Sequence, residues 1–240
     1  MVYIEKMLNS YLKIRHTEDE TIEVGIDEAG RGCLWGPLYA GAVIWTNEED
    51  MNEEQREIAA QIKDSKKLSA KRRTQIAASI KDLALDWHVG SVTAAEIDEI
   101  GVTKANQLAF ARALGGLNIK PERLIVDGIL SLVEAPWCFV EQVVEPEADG
   151  NYLPVAAASI LAKTTHDEWV KQFCDINTNI AEMYDLQSNK GYGTAKHRAG
   201  ILQHGKHSLH RNLFLRKLYA SVSDSSETQA LAHTSDESEV

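Results

Sequence analysis

No run of apolar residues approaches the roughly 18 needed to cross a bilayer, so no membrane partner is expected. Cysteine is scarce: Cys33, Cys138 and Cys174 are odd in number, widely spaced and without a CxxC pair. That argues against a disulfide framework and fits a reduced compartment in which the thiols pack as small apolar groups. The first 20 residues scatter charges through their apolar positions, which is not the pattern of a secretory signal. A cytoplasmic location is expected. Nucleotide-cofactor loops are missing too. A G-x-G-x-x-G fingerprint starting at Gly30 would need glycine where Trp35 stands, and no G-x-x-x-x-G-K-[ST] loop occurs. No internal repeat and no linker divides the chain.

What is present is an ordinary globular composition, 44% hydrophobic and 25% charged over 240 residues, enough for a sizeable core. The net charge of -11 at first argues against a nucleic-acid partner. Its distribution argues the other way. Five acids sit in residues 48–54 and five in the tail from 223 to 240. Residues 186–219 carry seven Lys/Arg, four histidines and no acid, and residues 63–81 carry another seven Lys/Arg. Local charge decides whether phosphate can dock. Either basic stretch alone would also suit a solvated face.

Residues 22–27 read as a strand ending at Asp27, and 37–46 as a second strand after a Gly-Pro turn. Residues 69–85 show helical spacing with Ser69 as cap. Then come a strand over 86–93 and one long helix from Ala94 to Gly115-Gly116. Strands over 122–128 and 137–144 follow, then a helix opened by Pro154. Short helices are expected over 176–186, 196–204 and 209–220. From about residue 221 the composition is that of a disordered tail. The order predicts a mixed α/β sheet in one domain, with residues 1–21 as an N-terminal extension, 22–220 as the folded unit and 221–240 as an acidic tail.

Asp27 and Glu28 are adjacent, and strand alternation would point them apart. Sharing a site requires the strand to bend or end there, and Ala-Gly-Arg-Gly supplies that freedom. Successive N–H groups in such a turn can cradle an anion; an Asx-type turn with a solvated glutamate is equally consistent. Asp127 repeats the theme in "LIVDG", at a strand end where ligands of α/β sheets bind, though a plain Asp-Gly turn also fits. Asp167 lies on the helix opened by Pro154, either near its packed side or, as an acid there more often does, on the surface of an amphipathic helix. Carboxylates gathered at strand ends repel unless a cation neutralises them. Oxygen ligands without Cys or close His favour Mg²⁺ or Mn²⁺ over Zn²⁺. Two such ions can stabilise both the attacking and the leaving oxygen of a phosphoryl displacement. His197, His204, His207 and His210 have spacing that permits Zn²⁺, but no Cys or acid joins them, and metal binding there is not expected.

Taken in order, "GIDEAGRGCLWGPLYAGAV", "DSKKLSAKRR", "EIDEIG", "LIVDG", "AAASILAKTTHD", "GYGTAKH" and the following His210-Arg211 resemble the ribonuclease HII family, from about Val24 to Phe214. The resemblance implies a ribonuclease H-like α/β fold, a central mixed five-stranded sheet flanked by helices, with a helical C-terminal portion. It implies an Asp-Glu-Asp-Asp site holding two divalent ions, Mg²⁺ or Mn²⁺, which motif matching puts on Asp27, Glu28, Asp127 and Asp167. It implies cleavage of RNA in RNA/DNA hybrids, and cleavage 5′ to single ribonucleotides in duplex DNA, by a monomer. Gly30, Arg31 and Gly32 match the turn that contacts the ribonucleotide around its 2′-hydroxyl, the group that separates RNA from DNA. Tyr192 matches the tyrosine that stacks on the neighbouring sugar. Lys66, Ser208 and Arg211 would hold backbone phosphates. His166 stands where this family often has arginine. A non-catalytic hybrid-binding module and a DNA-cutting relative of the same fold are the alternative readings.

Overall fold

The computed structural model describes residues 12–216 and 218–220. The expected acidic tail, 221–240, lies outside them. Five strands form one sheet: β1 (Glu23–Ala29), β2 (Leu38–Ile44), β3 (Asp86–Val92), β4 (Arg123–Asp127) and β5 (Glu141–Glu145). Their order is β3-β2-β1-β4-β5. β1 pairs antiparallel with β2 and β2 with β3, while β1–β4 and β4–β5 are parallel. The expected mixed five-stranded sheet is therefore present.

Helices cover both faces. α1 (Glu53–Ala59), α2 (Ala70–Leu83) and the long α5 (Leu153–Ile176) lie on one side. α3 (Ala94–Ile100) and α4 (Val102–Gly115) lie on the other. Local chemistry sets their ends. Ser69 accepts a hydrogen bond from Arg72 N at 3.3 Å and caps α2. Thr93 and Glu96 form a capping box at the start of α3. The long helix expected from Ala94 is two helices, because Gly101 sits between them at φ +82° and breaks the turn. The fifth strand also starts later than expected, after a 3₁₀ turn over Trp137–Phe139.

α5 lies unusually close to the sheet. A β-carbon on Gly25 would fall 2.2 Å from the Pro154 carbonyl carbon, and one on Gly41 would fall 2.3 Å from the Ala158 oxygen. Small residues on both surfaces permit this approach. Alanine at Gly25 would therefore force the backbones apart, a clash costing roughly 1–3 kcal/mol or more. α5 thus runs along β1, from Gly25 beside Pro154 to Gly30 beside His166.

The C-terminal part, α6 (Thr178–Met183), α7 (Leu186–Asn189), α8 (Ala195–His204) and helical residues 212–216, packs around Trp35, Val170, Cys174 and Tyr184. The segment after β1 stitches it to the sheet. Cys33 bridges Tyr192 and Trp35 bridges His210. His210, expected inside a helix over 209–220, is in this bridge instead. At the other end Ile14 is buried and Lys13 bridges Tyr152, so residues 12–14 pack at the start of α5.

Candidate active site

β1 neither bends nor ends between its two acids. Asp27 pairs with Gly41 and Glu28 with Ala40 in regular register. The alternation therefore persists, contrary to the expectation of a break. Val24 and Ile26 pack in the core beneath α4, so Glu28 falls on that side, where Asn106 of α4 hydrogen-bonds it. Asp27 faces α5, where Ser159 hydrogen-bonds it. The two acids straddle the end of the sheet. Asp127 joins them. Ile26 pairs with Val126 in the parallel ladder, so Asp127 is level with Asp27 on the same face, one strand spacing away, about 4.8 Å.

These charges are poorly compensated. Asp27 is 6% exposed. Burial, then the charges of Glu28 and Asp127, push its carboxyl well above the usual range. Glu28 is raised too: burial dominates, and Arg31, at 3.8 Å, offsets part of it. A further acid stands in the same field. Asp149, in the 3₁₀ turn ahead of α5, is 4% exposed, and its Oδ2 has no partner. Burial and then Asp127 raise it, against Lys66. The turn is tied to Asp127, whose Oδ1 accepts from Ala148 N at 2.8 Å. Lys66 answers this charge. Burial pulls its ammonium down, but Asp149, Asp64, Asp27 and Asp127 outweigh burial and hold it above its ordinary value.

Asp167 is in a different environment. Lys163 Nζ lies 2.7 Å away, His166 Nδ1 3.1 Å and Arg73 Nη2 3.7 Å. Burial works to raise its carboxyl, yet the hydrogen bonds from His166 and Lys163 prevail and hold it below the usual range. It follows Ser159 by eight residues on α5, about 12 Å along the axis. The structure thus does not bring Asp167 together with the other three acids. It links them indirectly: Arg73 Nη1 donates to Ser65 O at 2.7 Å, Ser65 Oγ lies 3.0 Å from Ser159 Oγ, and Ser159 reaches Asp27.

Of the expected recognition residues, Arg31 lies 3.8 Å from Glu28 and Tyr192 pairs with Cys33 just past the turn. Gly30 has φ +82° and packs against the His166 ring, where a β-carbon would fall 2.7 Å away. The Tyr192 ring is part-exposed, with Lys163 Nζ 5.3 Å from its centroid. Its hydroxyl meets the Gly30 backbone and the Cys33 thiol, and burial above all raises its pKa. Ser208 and Lys66 are exposed. Arg211 is not: it is fully buried, donating from Nε to Gly36 O and from Nη1 to Arg31 O, both at 2.9 Å. Burial pulls its pKa down to about 10. It clasps the two ends of the turn from below, a position unlike that of a surface phosphate contact.

Asp149 escaped the motif matching. Topology could have found it. β5 runs parallel to β4, so the loop leaving β5 must emerge at the same sheet end as Asp127. Among the described residues no three His, Cys, Asp or Glu side chains are already arranged around a common point suited to an ion. The donor chemistry still fits a divalent cation. The acids offer only oxygen, one Asp149 oxygen is buried without a partner, and backbone N–H groups occupy just one oxygen each of Asp27 and Asp127.

A mixed sheet between helix layers, with repelling carboxylates at the end of its central parallel pair, defines a nuclease of the ribonuclease H type. The family model described as Ribonuclease HII matches residues 24–222. A ribonuclease HII from Prochlorococcus marinus (strain NATL1A) is 37% identical over 200 residues, 83% of this chain and 96% of that one. Another, from Bacteroides thetaiotaomicron, is 41% identical over 197 residues, 81% of this chain and 90% of that one. The crystal structure of the ribonuclease H2 from Pyrococcus horikoshii OT3 superposes with a TM-score of 0.65 at 28% identity, covering 82% of this chain and 96% of that one. The chain belongs to the ribonuclease HII family. It is a type 2 ribonuclease H, a hydrolase of RNA/DNA substrates. Among the described residues no helix is long and apolar enough to cross a membrane.

Proposed function

We propose that this enzyme cuts the RNA strand of RNA/DNA hybrids, and cuts duplex DNA 5′ to single embedded ribonucleotides. It would leave a 3′-hydroxyl and a 5′-phosphate, act as a cytoplasmic monomer, and serve removal of misincorporated ribonucleotides and RNA primers. The observation that carries this reading is the pairing of Tyr192 with Cys33, the residue after a Gly30-Arg31-Gly32 turn whose Arg31 lies 3.8 Å from Glu28. A group that reads the 2′-hydroxyl would thereby be coupled to the place of cleavage.

Asp27, Glu28 and Asp127 would hold the cations, with Asp149 as fourth ligand in place of Asp167. Two divalent ions, Mg²⁺ or Mn²⁺, would supply charge neutralisation at the scissile phosphate and acidify the attacking water. The protein positions the rest. Ser159 and the Glu28 N–H hold Asp27, and the Ala148 N–H holds Asp127. Arg31 and the glycine backbone lie where a sugar-phosphate would be tested, and Tyr192 offers a part-exposed ring to the adjoining sugar. Lys66, within the field of the acids, would turn to phosphate once cations neutralise them, while Ser208 would hold backbone phosphate from the surface. Arg211 would act through the turn that it clasps.

The test is a labelled DNA duplex carrying one ribonucleotide, beside an all-DNA duplex and a continuous hybrid, with and without Mg²⁺ or Mn²⁺. Cleavage 5′ to the ribonucleotide, only with metal, is expected. Cutting of the all-DNA duplex would mean a DNA nuclease instead, and tight hybrid binding without any cutting would mean a binding module.

A further inference from the structure

Four histidines of the C-terminal part have no role in the chemistry above, yet three of them form a chain, two of its members buried and His207 half-buried. His197 is fully buried and His210 is 2% exposed. His210 Nδ1 has two neighbours on the His207 backbone, the N–H at 2.8 Å and the carbonyl oxygen at 3.3 Å. The backbone N–H can only donate and is the shorter contact, so Nδ1 is assigned as its acceptor. A neutral His210 then carries its proton on Nε2. That proton points to His197 Nε2, 3.0 Å away. His197 Nε2 must accept it, which leaves the His197 proton on Nδ1. From there it is donated to the backbone oxygen of Tyr192 at 2.9 Å. Each proton position follows from the one before it, and reversing any link sets two donors or two acceptors against each other.

The chain starts where the recognition turn is anchored. His207 Nδ1 accepts from Trp35 Nε1 at 3.3 Å, and His210 itself bridges Trp35. The Tyr184 ring meets His210 edge-on at 4.8 Å and closes the apolar side. Burial lowers the basicity of both relay histidines, His210 to about 4, so both are neutral under ordinary conditions, as the directions require. Every ring nitrogen of His197 and His210 is already committed, so neither ring offers an open position to a metal.

We infer that His197 and His210 are positioning residues for recognition: a neutral, one-directional relay that fixes the Tyr192 backbone and so the ring face offered to the sugar. This rests on the reading of Tyr192 as a sugar platform. The first test needs no substitution. In ¹⁵N-edited imidazole spectra of the full chain at neutral pH, His197 is expected as the Nδ1–H tautomer and His210 as the Nε2–H tautomer. The opposite tautomer at either ring, or an imidazolium, overturns the relay.

The second test uses two polar replacements. The amide of His197→Asn can occupy the Nδ1 position and keep the bond to Tyr192. The amide of His197→Gln lies nearer the Nε2 position and loses it. On the single-ribonucleotide duplex with Mg²⁺, His197→Gln should raise KM about tenfold with kcat almost unchanged, and His197→Asn should restore KM to within about threefold. Equal effects of the two replacements, or a fall in kcat with KM unmoved, would overturn positioning. Tyr192→Ala separates the two readings. Expected is a raised KM that His197→Gln does not raise further. An unchanged KM in Tyr192→Ala rejects the sugar-platform reading while the tautomers still report on the relay. Fully multiplying effects of the two changes show that His197 does not act through Tyr192.

Discussion

Asp149 and Asp167 frame α5, one just ahead of its first turn and one well along it, and they have opposite surroundings. Around Asp149 burial and then the Asp127 charge outweigh Lys66, and its carboxyl is raised with one oxygen unpartnered. Around Asp167 stand Lys163, His166 and Arg73, and its carboxyl is lowered. A carboxylate already neutralised by protein cations gains little from a metal. A buried one facing its own kind gains a great deal. The contrast is between an acid whose charge the protein leaves uncompensated and one whose charge it answers with its own cations.

The comparison is broken most sharply at its reference point. Asp127→Asn, at the level of Asp27 in the ladder, should lower kcat by at least about 10³-fold, as loss of a group that stabilises developing charge does. Hybrid binding, measured by fluorescence anisotropy, should persist. Appreciable cleavage by this variant would remove the whole acid set from consideration. Next in size, Asp149→Asn should lower kcat about 10²-fold and weaken the rise in Tm that Mn²⁺ gives the native chain. If Asp149→Asn cleaves normally and Asp167→Asn does not, the roles of the two acids are the reverse of those drawn here.

Asp27, Glu28 and Asp127 were legible in the sequence because each follows an apolar run, and a parallel pair must end its strands at one edge. The sheet and its mixed class were legible for the same reason: apolar runs and turn residues alternate on the length scale of strands and helices. What stayed hidden depends on distant partners. Nothing local says that Arg73 reaches Asp167 across more than 90 positions, or that Arg211, basic and near the chain end, is enclosed by the carbonyls of Arg31 and Gly36. The single helix expected from Ala94 failed at Gly101, where a positive φ overrides a continuous apolar period. Asp149 does not end an apolar run directly but sits in the turn after β5, so only the parallel pairing of β4 and β5 places it at the edge of Asp127.

Asp167→Asn sharpens the contrast from the other side. Its expected cost is moderate, about tenfold in kcat/KM, the scale of one charge-assisted hydrogen bond. The loss should arise through Arg73, Ser65 and Ser159, which connect it to Asp27. Arg73→Gln should therefore lower kcat/KM to a similar extent, and the double variant should be little worse than either single one. The Mn²⁺-dependent rise in Tm should survive in both, because the acids proposed to hold cations remain. Losing that rise in Asp167→Asn would make Asp167 a ligand after all.

The smallest effect is one of stability, and its sign is the informative part. Asp27 has a folded-state pKa raised above its unfolded value. Its favourable contribution is therefore complete only at acid pH, below the unfolded pKa, and is lost as pH rises through the folded value. At neutral pH without metal, an ionised Asp27 works against the fold. Asp27→Asn keeps the oxygen that accepts from Glu28 N, at 2.6 Å, and its amide can still meet Ser159, whose hydroxyl is free to rotate. It removes only the charge. The metal-free variant should therefore melt above the native chain, by about 2–4 °C for each kcal/mol of repulsion relieved in a domain of this size, while cleavage is abolished. Calorimetry in a chelating buffer reads this directly. A lower Tm would show that the Asp27 charge is compensated within the protein, as that of Asp167 is, and the distinction between the two acidic neighbourhoods would lose its electrostatic basis.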